Sequence, residues 1–314
     1  MNKHRLTLLG GVQGELRVSA SILHETVGAL LEGARQATRF FVEGESIRKG
    51  PRPAWLEATC EIQITALSPG SAVLALEAPT LEEADPARFG EGGQTSLFDE
   101  HDRKIAKQTS IDLFGSVLAA IVEGDPDDVL ADRALLDTCF RFATAARGPF
   151  DGVQLDGLAN RSAPVVIKPE HVPKIERLRD ETPPAQAVRV SGTLDTISAS
   201  RPDVVLTLPD GVKVPARLED HEAEMLKQLF GEKVVVSGMA HYRPSGRLLL
   251  VNVESIAAAG EKDVLFEATP VVRARRPVAQ MLPQDETSGV SAFFGTWPGD
   301  ESDEALLEAL RAIG

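Results

Sequence analysis

The sequence predicts an α+β fold: an N-terminal mixed domain of helices and β hairpins, then a small five-stranded β-barrel, then a C-terminal tail with a short helix. Three observations predict it. Strand-like segments in residues 1–182 come in neighbouring pairs, which favours α+β over a doubly wound sheet. Between Gln186 and Ala258 five alternating apolar–polar segments follow one another, with one helical segment after the third. Beyond residue 258 the alternation stops, and an aromatic–acidic run precedes a last amphipathic segment.

The totals bound the function classes. The chain has 314 residues, 43% of them hydrophobic and 25% charged, the balance of a globular protein large enough for more than one core. No apolar run approaches the roughly 18–20 residues a membrane span needs. Met1–Gly14 lacks the apolar core and cleavage site of a signal peptide, so a cytoplasmic protein is expected. The net charge of −14 is uneven: residues 1–185 carry 28 acids and 20 bases, residues 186–258 carry 9 and 8, and residues 259–314 carry 10 and 5. That charge repels phosphate backbones, so nucleic-acid binding is disfavoured except at the near-neutral middle. Cys60 and Cys139 lie far apart in apolar patterns and read as buried thiols.

In the front domain, Arg5–Leu9 and Glu15–Val18 read as a β pair bridged by Gly10-Gly11-Val12-Gln13-Gly14. Glu15 follows the last glycine where a phosphate loop needs Lys and Ser or Thr, so the bridge is a turn. Leu23, Val27, Leu30, Ala34 and Phe41 recur at helical spacing and predict a helix over residues 22–42, capped by Ser21 and ended by Gly44. Arg35, Arg39, Arg48, Lys49 and Arg52 read as a solvated basic face rather than an anion site. Trp55–Leu67 and Ala72–Ala78 predict a hairpin about Ser68-Pro69-Gly70-Ser71, and residues 79–103 a loop. Residues 104–123 and 127–147 predict two helices broken at Gly124-Asp125-Pro126 and packed as an antiparallel pair. Asp127, Asp128, Asp132 and Asp137 together suggest a cation site, yet Asp127 and Asp128 suit the positive end of the second helix better. Gly152–Leu158 and Ala163–Lys168 form a second strand pair, Pro169 opens a helix to Arg179, and Thr182-Pro183-Pro184-Ala185 is the expected domain boundary.

The predicted barrel strands are Ala187–Ser198, Asp203–Pro209, Val212–Leu218, Lys233–Tyr242 and Arg247–Ile256, with a helix over residues 220–230. This order of elements over about 70 residues resembles the OB-fold, a small Greek-key barrel. The resemblance covers a quarter of the chain and implies oligonucleotide binding on the face of the second and third strands. The residues for that work are Arg189, Arg201, Lys213, Arg217, Tyr242, Arg243 and Arg247. The face carries Thr207, Lys213, Pro215 and Arg217 but no aromatic platform, and nine acids offset the arginines. Asp220-His221-Glu222-Ala223-Glu224 lacks the second histidine of a His-Glu-x-x-His zinc site and reads as acids at a helix start. No catalytic motif, metal site or cofactor site emerges, and the chain is expected not to be an enzyme.

Residues 259–292 read as a linker draped on the barrel through Val264, Leu265 and Phe266, with basic residues at Arg273, Arg275 and Arg276. Residues 293–314 form an aromatic–acidic tail. Its run Gly295-Thr296-Trp297-Pro298-Gly299-Asp300-Glu301-Ser302-Asp303-Glu304, with the Leu-rich ending that follows, resembles the C-terminal tails of small bacterial proteins of toxin–antitoxin modules. The whole chain also resembles an uncharacterised bacterial protein family with an OB-like barrel. The tail resemblance implies docking on a protein partner, a nuclease toxin. Phe293, Phe294 and Trp297 would anchor in apolar pockets, Asp300, Glu301, Asp303 and Glu304 would cover a basic site, and Leu307 would extend the apolar contact. Antitoxins of that kind carry a small DNA-binding domain, and neither a helix-turn-helix nor a ribbon is visible here.

Overall fold

The computed structural model describes residues 1–10, 19–48, 50–68, 72–90, 100–124, 128–145, 150–197, 203–218, 226 and 228–272, together with 302, 304, 308 and 311. The chain divides into two compact units, Met1–Val272 and Arg273–Gly314.

The first unit opens with strand β1 (Asn2–Leu9), in which His4, Leu6 and Leu8 point into the core while Lys3 and Arg5 are exposed. Helix α1 (Ala20–Glu43) starts one residue ahead of the expected cap. Ser19 stands at its N-cap without a side-chain bond, and Gly44 closes it at φ 81°, as expected. The segment expected to be a strand from Trp55 begins instead with helix α2 (Ala54–Thr59), which turns Trp55, Leu56 and Thr59 inward behind Pro53. The hairpin proper is β2 (Gln63–Ser68) and β3 (Ala72–Ala78).

Residues 79–103, expected to be a loop, contain two single-turn helices. Thr80 and Glu83 form a reciprocal capping box on α3 (Leu81–Ala84), and Asp85 caps α4 (Pro86–Phe89), which has Pro86 in its first turn. The next expected helix is two: α5 (Glu100–Ala106) and α6 (Ser110–Glu123). The interruption is another capping box, Thr109 with Asp112. Helix α7 (Arg133–Ala145) begins later than predicted because Asp132, not Asp127 or Asp128, caps it. α6 and α7 are not a simple antiparallel pair. Each packs on α1, and they meet through an edge-to-face contact of Phe114 with Phe142, centroids 5.5 Å apart. Strands β4 (Gly152–Asp156) and β5 (Val165–Ile167) follow, then a 3-10 turn at Pro169–His171 and helix α8 (Val172–Glu181), which packs on α7.

β1 is the centre of the first sheet, whose order is β2-β3-β1-β4-β5, antiparallel throughout. It pairs with two strands distant in sequence; residues 15–18, its expected partner, lie outside the described residues. Leu6, Leu74, Leu76, Leu155 and Ile167 share one buried core with the inner faces of α1, α6, α7 and α8.

The remaining strands are β6 (Gln186–Ile197), β7 (Asp203–Thr207), β8 (Lys213–Leu218), β9 (Lys233–Tyr242) and β10 (Leu248–Ala258). They close a barrel in the order β10-β8-β7-β6-β9, sealed by β9 against β10, with β10 and β8 parallel and every other pair antiparallel. A closed five-stranded barrel of this kind fits the OB-fold. Val190, Leu194, Leu206, Val214, Val236 and Val251 fill it. Of the expected barrel helix, Leu226, Gln228 and Leu229 are described as helical. Leu226 and Leu229 join the barrel core, whereas Phe230, just past them, is 55% exposed. Gly238 is required where β9 crosses β10, because a Cβ there would run into the Asn252 carbonyl.

Two cores therefore lie within one compact unit, and β10 belongs to both. Leu248 packs with the barrel interior, while Leu249 and Leu250 pack with the first core. The segment after the barrel is a 3-10 helix, Glu261–Phe266. Contrary to expectation, Val264 and Leu265 are exposed, at 57% and 85%. The segment is held by Asp263, 3.0 Å from Arg189, by Phe266 under the Arg189 guanidinium, and by Glu267 paired with Lys233.

Candidate functional site

The barrel face comes first, because the OB resemblance places function there. Its described basic residues are spread over several neighbours, although Lys213 and Arg247 line one groove of ≈ 470 Å³ together. Lys213 pairs with Asp195 at 3.4 Å, and Asp195 also accepts from the Thr207 hydroxyl at 3.2 Å. Arg189 is occupied by Asp263 and Phe266. Arg217 turns toward the end of α1: a Cβ on Gly44 would lie 2.8 Å from its Nη1. Arg243 and Arg247 flank the β9–β10 turn, where the Arg243 amide donates to the Arg247 carbonyl at 2.8 Å. Tyr242 is 1% exposed and offers no ring face to a base, because its position on β9 points into the barrel. Arg201 lies outside the described residues.

Four arginines of the front domain singled out in the sequence are internally matched, and Lys49 lies outside the described residues. Arg39 pairs with Glu43 at 2.7 Å, Arg35 with Glu32, Arg52 with Glu32 and Glu57, and Arg48 with Glu45. Among the described residues no cluster of His, Cys, Asp and Glu suits a metal ion, and no helix is long and apolar enough to cross a membrane. The Asp220–Glu224 run is outside the described residues. Cys60 and Cys139 are both buried, and burial pushes both thiols up, away from the reactive thiolate.

A cleft of ≈ 580 Å³ lies where α7, α8 and the Pro183-Pro184-Ala185 connection meet β9. Asp132 is its structural centre. Oδ2 accepts from the Ser46 amide at 2.8 Å, and Oδ1 accepts from the Ser46 hydroxyl at 2.6 Å and the Leu135 amide at 3.0 Å. One carboxylate thus caps α7 and ties down the loop after α1. His241 faces it from the barrel, 8% exposed. Burial holds the His241 ring below its ordinary value, and the negative charge of Asp132 opposes that shift. Across the sheet the Asn252 amide lies 3.3 Å from His241 Nε2. At the rim Arg179 reaches Asp180 at 3.0 Å and Asp137 at 3.8 Å and lies over the Phe140 ring at 4.4 Å. Arg133 is also part of the lining.

Chemically, the cleft offers a buried imidazole, a carboxylate that already accepts three hydrogen bonds, and the Arg179 charge paired with Asp180 and Asp137. Among the described residues of its lining there is no Ser, Thr, Cys or Lys, while Asp, His and Tyr are present. Nothing in the sequence makes His241 and Asp132 neighbours. Asp132 had a usable signal, an acid just before the apolar run Leu135-Leu136. Asn252 had none, because only the β9–β10 register brings it to His241.

The partner-docking residues Phe293, Phe294, Trp297, Asp300, Glu301, Asp303 and Leu307 lie outside the described residues; of that set only Glu304 is described, and it is helical. Comparison of the chain with protein-family models, with curated proteins and with solved structures finds no match.

Proposed function

We propose that this is a non-enzymatic, cytoplasmic binding and regulatory protein, antitoxin-like in its tail, which docks a protein partner through residues 293–314. The observation that carries the reading is the tail sequence itself. Three aromatic residues, Phe293, Phe294 and Trp297, precede four carboxylates within five residues, in a protein with only 5% aromatics. Large aromatic anchors next to acids suit a partner with apolar pockets beside a basic surface, as on a nuclease that holds nucleic acid. The folded body is compatible with the reading: its two cores are closed, and its described barrel arginines are distributed.

The test is co-purification from the native host with the full chain and with Phe293→Ala/Phe294→Ala/Trp297→Ala. A basic partner recovered with the first and lost with the second is the expected result. Equal recovery with both removes the tail from the mechanism. Nucleic-acid binding by the barrel is the second reading, and it rests on the strand order. Salt-sensitive binding of single-stranded DNA or RNA by the full chain, weakened by Arg243→Ala/Arg247→Ala, is its expected signature.

A further inference from the structure

His241 and Asn252 form a pair with two incompatible hydrogen-bonding states. Their side chains are diagonal neighbours on β9 and β10, since His241 registers with Leu250 and Asn252 with Met239. In the structure the Asn252 Nδ2 group faces His241 Nε2 at 3.3 Å. Nδ2 can only donate, so Nε2 accepts and the ring proton sits on Nδ1. This arrangement leaves Asn252 Oδ1 buried without a partner. An imidazolium reverses the requirement: Nε2 then carries a proton that collides with the Nδ2 donors. The amide must turn over, and the orphaned Oδ1 becomes the acceptor.

We propose that the seam between α7 and the barrel is a proton-sensitive joint, with His241 as its sensor and the Asn252 amide as its two-position switch. The location makes the switch consequential. His241 lines the cleft opposite Asp132, and Asp132 holds the first turn of α7 to Ser46. The charged groups on the cleft walls are Asp132, Arg133 and Asp137 from α7 and Arg179 and Asp180 from α8, with Tyr242 beside His241 on the barrel. Asp137 and Asp180 are engaged by Arg179, and Asp132 already accepts three hydrogen bonds; its charge opposes the cost of burying an imidazolium, but burial is the larger effect. Charging a ring that is 8% exposed therefore favours conformations that admit water. The seam is closed at neutral pH and loosens as pH falls below the ordinary histidine range.

Hydrogen exchange of the full chain at pH 7.5 and 5.5, corrected for the intrinsic pH dependence of exchange, tests this. Protection of β9, β10 and the first turn of α7 is expected to fall by about tenfold or more at the lower pH, the size of effect a local opening equilibrium delivers. In His241→Gln, which cannot be charged, that fall is expected to vanish. An equal fall in His241→Gln, or no fall in the unaltered chain, overturns the proposal. Should His241→Gln fail to fold, NMR titration of the unaltered chain decides. The His241 ring and the Asn252 side-chain amide resonances must shift with one common midpoint below 6.5, the ordinary value. A His241 midpoint at or above that value, or an Asn252 amide that does not move with it, overturns the proposal equally.

Discussion

His4 shows how a buried residue of one strand is dictated by a loop a hundred residues away. Thr109 donates its hydroxyl proton to Asp112 Oδ2 at 2.9 Å, so it must accept from His4 Nε2, 3.0 Å away. That sets the His4 tautomer. Burial pushes His4 down from its ordinary value, with Asp112 opposing. For His4 and His241 alike the folded value is below the unfolded one. The unfolded chain therefore binds more protons below pH 6.5, the stability these rings contribute is complete above that pH, and it is lost as pH falls through the folded values. The urea midpoint is accordingly expected to fall between pH 7.5 and 5.5, and less so in His4→Gln and in His241→Gln. Gly44 is a second decisive residue. At φ 81° an alanine is strained by about 1–2 kcal/mol, and its Cβ would also press on Arg217 and Leu250. Gly44→Ala is expected to lower unfolding free energy by at least that amount in urea titration.

Among the elements, α7 and β10 join parts of the chain that are far apart in sequence. α7 starts where it does because Asp132 caps it and simultaneously holds Ser46. Removing the carboxylate loses the cap and leaves two Ser46 donors buried without their acceptor. Asp132→Ala is expected to cost about 2–4 kcal/mol, and Asp132→Asn clearly less, as measured by chemical denaturation. β10 changes its allegiance between Leu248, in the barrel core, and Leu249, in the first core. Leu249→Ala is expected to cost about 2–5 kcal/mol and to lower the denaturation midpoint reported from both halves of Met1–Val272, because it opens a hole where the halves are joined. A change reported from only one half would show that this contact does not couple them.

For the molecule as a whole, Met1–Val272 and Arg273–Gly314 are separate compact units. Ending the chain at Gly289 is expected to leave the urea midpoint of the first unit unchanged while removing the proposed docking segment. A lower midpoint would mean that the tail also stabilises the body. Within the first unit the two cores are expected to unfold together, seen as coincident fluorescence and circular-dichroism transitions.

The sequence by itself determined the barrel. Alternation at Val188–Leu194, Val204–Leu208, Val212–Leu218 and Val234–Val236, with turns at Asp210-Gly211 and Ser245-Gly246, is a local signal, and strands with one buried face must display it. The same holds for α1, whose apolar period and Gly44 stop are local. The expected strand at Trp55 failed because a six-residue helix and a strand start show the same short apolar pattern. The helix boundaries at Thr109 and Asp132 depended on side-chain caps, a Thr109–Asp112 box and the Asp132 carboxylate, within stretches of helical apolar spacing. Tertiary structure alone decided that β1 is central, that β10 serves two cores, and that Arg189, Lys213 and Arg217 are drawn to separate neighbours instead of forming one patch. It alone placed His241 opposite Asp132 and beside Asn252. The physical reason is range: periodicity, caps and turns act within a few residues, whereas sheet order, charge pairing and burial of a polar group depend on partners up to a hundred residues away.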